Sequence, residues 1–148
     1  MTSSIQDGAL HIYESAVFYG APLSVQPVKR HELKFFIDLV LKEGESRLRN
    51  LLPLILAKQA AGRRETGDLF DRWASEDSSF EACWKFTQLA LRQTTDQAWS
   101  EEDRRRWRQS CEEAGRIISI EPDRALANLR RFLRPPVEGA GQNTKILS

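Results

Sequence analysis

At 148 residues and a formal net charge of +1, the chain has the size of one domain and can enclose a core without metal or disulfide staples. Hydrophobic residues make up 41% and charged residues 29%, a globular composition, and the near-zero charge excludes a global field that would attract nucleic acid or membrane. No apolar run approaches the ~18–20 residues that span a bilayer. The start, Met1 to Gly8, is polar and lacks the basic-then-apolar order of a secretory signal, so a cytoplasmic location without a membrane partner is the expectation.

Residues 9–30 differ from the rest. Leu10-His11-Ile12-Tyr13 and Val17-Phe18-Tyr19 are rich in strand formers, and Gly20, Pro22 and Pro27 interrupt any helix. The composition predicts a partly extended N-terminal arm over 1–30 lying on a helical body. A first helix over residues 9–19 is the competing reading.

The next helix is expected from about His31 to Glu43. Leu33, Phe35, Phe36, Ile37, Leu39, Val40 and Leu41 cover most of its circumference and leave one strip of Lys34, Asp38 and Lys42 for water. Such a helix must be enclosed on several sides, by its own domain or by a second copy. A second helix starts at Ser46 or Asn50 and ends near Ala61. With Asn50 as N-cap, Pro53 falls harmlessly in the first turn; with a start at Ser46, Pro53 must kink the helix. Arg63 to Gly67 then reads as a loop, and Asp68 to Ala74 as a short helix with Leu69, Phe70 and Trp73 on one side.

Ser78 and Glu81 have capping-box spacing for a helix to about Gln93, wrapped by Phe80, Cys83, Trp84, Phe86 and Leu89. This helix and residues 31–43 are the expected central pair. Ser100 and Asp103 repeat the capping logic for a thinly apolar surface helix from Glu101 to about Gly115, continued by Ile118. Pro122 opens the last helix, with Ala125, Leu126, Leu129, Phe132 and Leu133 on one face. The fold class is therefore all-α: a compact bundle of five or six helices over 31–134, an extended N-terminal arm, and a disordered tail over 135–148.

Catalytic motifs are missing. There is no GxSxG, HExxH, P-loop or CxxC, and the two histidines have no partner at a telling spacing. Cys83 and Cys111 read as buried thiols. Adjacent carboxylates such as Glu101-Glu102 point apart on a helix, and Asp68 has a cap role open to it. No catalytic residue, metal site or cofactor is assigned. The run Glu101 to Arg108 resembles a basic patch, but Glu101 and Glu102 stand four residues before Arg105 and Arg106 and neutralise them in place.

The last helix carries the candidate binding residues. Arg124, Asn128 and Arg131 align at i, i+4 and i+7 opposite the leucines, with Arg130 on the flank. Trp107, set among arginines, is the aromatic most open to an interfacial role, although the core is its first expected home. The expected function is a non-catalytic protein–protein interaction module: an adaptor, regulatory subunit or chaperone-like factor with a protein partner and a tendency to homodimerise. The first alternative is a small nucleic-acid-binding regulator using the basic face of the last helix. The second is a helical ligand-binding domain or enzyme with a pocket between the two apolar helices.

Overall fold

A computed structural model describes residues 12–23, 32–95 and 98–133. The expected tail over 135–148, most of the expected arm and His31 lie outside those residues. Helix α1 covers 12–18. It is followed by α2 (Leu33–Glu43), α3 (Ser46–Arg49), α4 (Leu52–Ala60), α5 (Arg64–Glu76), α6 (Ser78–Gln93), α7 (Glu101–Ile118) and α8 (Pro122–Phe132). No strand occurs among the described residues. The excess over six helices comes from α1 and from division of the expected second helix into α3 and α4.

Within the expected arm, residues 12–18 are helical rather than extended. Ile12, Ser15, Ala16 and Tyr19 are all buried and recur at i, i+3, i+4 and i+7, a helical stripe that overrides strand propensity once a core is there to receive it. The Tyr19 ring lies 5.7 Å from that of Phe36. The segment ends at Gly20, whose φ of +117° would strain any residue with a side chain. Lys58 Nζ donates to the Gly20 carbonyl at 2.8 Å and Gln59 Nε2 to that of Tyr19 at 3.0 Å. The end of α1 is thereby tied to the end of α4.

Helix α2 is not enclosed as its sequence suggests. Phe36, Ile37 and Val40 are buried, but Phe35 is 54% exposed and Leu33, Leu39 and Leu41 are half-buried. The enclosed helix is α4. Every residue from Leu51 to Ala57 is buried, and α4 packs against α5, α6 and α8. The central pair is therefore α4 with α6. With α4 filling the middle, α2 packs along only part of its circumference against the described residues.

Pro53 stands in the first turn of α4, where its missing N–H is harmless. The chain instead breaks at Asn50 and Leu51, both still in the helical region of backbone space. Asn50 is thus no cap for α4, and its side chain is used elsewhere. Helix α5 starts at Arg64, through the segment expected to be a loop. Fully buried Phe70 anchors it against Trp73, Phe80 and Trp84 at 5.0–5.7 Å. From that anchor each added upstream residue gains a hydrogen bond, such as Gly67 N–H to the Arg63 carbonyl at 3.2 Å. Asp68 is then an exposed mid-helix residue rather than a cap, while Asp71 accepts the Trp84 indole N–H at 2.8 Å.

The cap of α6 is Asp77, one residue before the expected Ser78. Its carboxylate accepts from the N–H groups of Ser79 and Phe80 at 2.9 and 3.3 Å. Ser100 and Asp103 do form the reciprocal capping box of α7. That helix continues past Gly115 because Ala114, Ile118 and Ile120 are buried, and it closes at Ser119 in the left-handed region (φ 57°).

Candidate binding cleft

Asn50 is fully buried and organises the contact between α3, α4 and α8. Its Oδ1 accepts the backbone N–H of Glu121 at 2.7 Å, at the start of α8. Its Nδ2 donates to Ser46 Oγ at 3.3 Å, and its own carbonyl accepts from Asn128 Nδ2 at 3.0 Å. One interior amide thus satisfies a free N–H at the first turn of a helix seventy residues away in sequence.

Beside this junction lies a cleft of about 220 Å³. Leu23, Leu51 and Phe132 supply apolar wall, and Arg47, Arg124 and Asn128 supply polar wall. Arg124 pairs with Glu121 at 3.3 Å, with both side chains more than half exposed; such a pair holds weakly and yields to a better-placed carboxylate. Near Arg47, the Tyr13 hydroxyl donates to Glu45. That bond, more than the accompanying burial, raises the Tyr13 pKa above its usual range.

Of the residues selected from sequence, Arg124 and Asn128 come together in this cleft. Asn128 is turned inward and bound to Asn50, so it is not an open reader of base edges. Arg130 and Arg131 are exposed and do not line the cleft; the Arg131 guanidinium lies 5.0 Å from the Phe132 ring centroid. Trp107 belongs to another surface. It stacks on Phe86 at 5.3 Å and meets Trp99 edge-on at 6.3 Å, half-buried against the core. Sequence pattern alone does not select Arg47, Asn50 or Leu51. The available signal was a lone asparagine inside the apolar stretch Leu48 to Leu56.

Helix α7 neutralises Arg104, Arg105 and Arg106 with its own carboxylates; the expected Glu102–Arg106 pair forms, while Glu101 takes Arg104 in place of Arg105. Glu101 pairs with Arg104 at 3.4 Å, and Glu102 with Arg105 and, at 3.4 Å, with Arg106. Asp103 reaches Arg92 of α6 at 3.2 Å. The Arg92 hydrogen bond and then the Ser100 N–H hold the Asp103 carboxyl below its usual range, and the Arg105 hydrogen bond does the same for Glu102.

The buried polar residues among those described are Ser15, Asn50, Thr87 and Ser110, which carry neither carboxylate nor imidazole. No group of three His, Cys, Asp or Glu among the described residues is placed to hold a metal ion, and no helix among them is long and apolar enough to cross a membrane. Burial pushes the Cys83 thiol up to about 12, against a weaker opposing bond from Thr87. Burial and the charge of Asp123 push Cys111 up to about 11. Both stay protonated at neutral pH and are poor nucleophiles.

The raised Cys83 pKa predicts an alkaline limb in stability. A thiol whose folded-state pKa lies above its unfolded value stabilises the fold fully below about pH 9. That contribution is lost as pH rises towards 12, on the order of 3 kcal/mol by pH 11. Cys83→Ala is expected to lower stability at pH 8 through its cavity yet lose less between pH 8 and 11 than the parent, as measured by urea melts. Parallel losses in the two proteins would contradict the assignment.

No family model, no curated protein and no solved structure matches this chain.

Proposed function

We propose that this chain is a non-catalytic protein-interaction module, an adaptor or regulatory subunit, that receives an acidic segment of a partner protein in the cleft between α3 and α8. The observation that carries this reading is the pairing of Arg47 and Arg124 around an apolar wall of Leu23, Leu51 and Phe132. Guanidinium groups suit carboxylates in bidentate geometry, and the apolar wall suits a hydrophobic neighbour of the acid. At about 220 Å³ the cleft fits one or two side chains rather than a whole small molecule, for which sites run about 300–1,000 Å³. The buried Asn50 network holds both walls in place before a partner arrives, which lowers the ordering cost of binding.

The alternative, a nucleic-acid regulator, needs Arg124, Asn128 and Arg131 as one open stripe. Asn128 is bound to Asn50 instead, which breaks that stripe, so the protein-partner reading is preferred.

Fluorescence anisotropy with a labelled peptide of alternating glutamate and leucine tests the proposal, with duplex DNA as the second probe. The parent is expected to bind the peptide, and Arg47→Glu with Arg124→Glu to weaken it by more than about tenfold. Equal peptide affinity in parent and variant overturns the reading. So does tighter, steeply salt-dependent binding of the DNA.

A further inference from the structure

Among the described residues, Ser110 Oγ is the buried side-chain oxygen without a hydrogen-bond partner, in a residue only 6% exposed. Natural interiors rarely leave such a group unsatisfied, so its surroundings call for explanation. Ser110 lines a groove of about 530 Å³ between α6 and α7, within the size range of small-molecule sites. The two helices form the most extensive helix–helix contact among the described residues, so the groove is built on rigid elements.

The lining is polarised along α7. Arg105 and Arg106 stand at one end; Gln109 and Ser110 come next, with Lys85 of the antiparallel α6 level with them, and Glu113 lies further on. At 1.5 Å per residue the arginines and Glu113 are separated by about 11 Å along the helix axis. Among the described residues the cations are held by exposed partners: Glu102 is shared by both arginines, and Glu81 reaches Lys85 at 3.5 Å. Pairs of that kind contribute little and can be exchanged for a stronger anion. Gln109 now accepts from Arg105 at 3.5 Å and donates to Glu113 at 3.3 Å, long bonds that a ligand could replace.

We propose that the α6–α7 groove binds a phosphorylated polyhydroxy compound of the sugar-phosphate class. The phosphate sits on Arg105 and Arg106, whose donors match its oxygens, with Lys85 further along the groove. The hydroxyls face Gln109, Ser110 and Glu113; the carboxylate accepts from a hydroxyl, and Ser110 gains the partner it lacks. A simple anion uses only one end of the groove. The site shares no lining residue with the α3–α8 cleft and stands or falls separately.

Titration calorimetry with glucose-6-phosphate, inorganic phosphate and glucose tests this. The parent is expected to bind glucose-6-phosphate about tenfold or more tighter than phosphate, and glucose not measurably. Arg105→Ala with Arg106→Ala, both on the exposed face, is expected to weaken the sugar phosphate by more than about tenfold. Ser110→Ala is expected to weaken it about fivefold while leaving the melting temperature unchanged or higher. The proposal is overturned by no binding of the sugar phosphate at about 10 mM, or by equal affinity for it and phosphate. It is also overturned if Ser110→Ala leaves binding untouched, which would make the hydroxyl a packing residue only.

Discussion

Replacing Asn50 by alanine is expected to cost the protein about 2–3 kcal/mol and to loosen α8. The side chain is fully buried and bonds both the Glu121 N–H and Ser46 Oγ. Truncation leaves the N–H of Glu121 unpaired at the first turn of α8 and opens a small cavity beside it, two losses that add. Urea denaturation measures the total, and amide exchange along Pro122–Phe132 measures where it falls. Asn128→Ala is expected to cost less, about 1 kcal/mol, because the Asn50 carbonyl it releases can be hydrated at the cleft. If Asn50→Ala lowers stability by under about 0.5 kcal/mol, the junction does not organise the helix. The same variant, even where folded, is expected to lose acidic-peptide binding, since Arg47 and Arg124 then no longer share a fixed cleft.

The second large effect lies in α4. Leu54→Ala or Ile55→Ala is expected to cost about 2–5 kcal/mol, because both side chains are fully enclosed and the surrounding helices cannot close over the void. For a chain of this size each kcal/mol lowers the melting temperature by about 2–4 °C, so the shift is near 10 °C. Phe35→Ala in α2 is the contrast. Phe35 is 54% exposed, and its truncation is expected to cost about 1 kcal/mol or less. Equal costs at Phe35 and Leu54 would return α2 to the centre of the fold and remove α4 from it.

That contrast shows where local pattern stops being informative. The periodicity over Leu33 to Leu41 says that many faces of a helix are apolar; it cannot say how many neighbours exist to cover them. The stretch Leu51 to Ala57 is as rich in hydrophobes, but Pro53 leaves its register and start ambiguous in the sequence. Ser100 and Asp103 were readable because a capping box closes within four residues. Ser78 has the spacing of a cap but is not one, because Asp77, one position earlier, offers a carboxylate in reach of the first-turn N–H groups.

The candidate cleft divides along the same line. Arg124 and Asn128 share a face of one helix, and 3.6 residues per turn is enough to place them together. Their union with Arg47 and Leu51 depends on the amide of Asn50 meeting the backbone of Glu121, 71 positions along the chain. Helical character, most helix boundaries and the self-neutralised charges of α7 followed from interactions within a few residues of each other. Which helix is enclosed, which asparagine is spent inside, and which arginines face one cleft were set by packing between distant segments. Periodicity records what a helix can bury, whereas burial itself depends on what else folds against it.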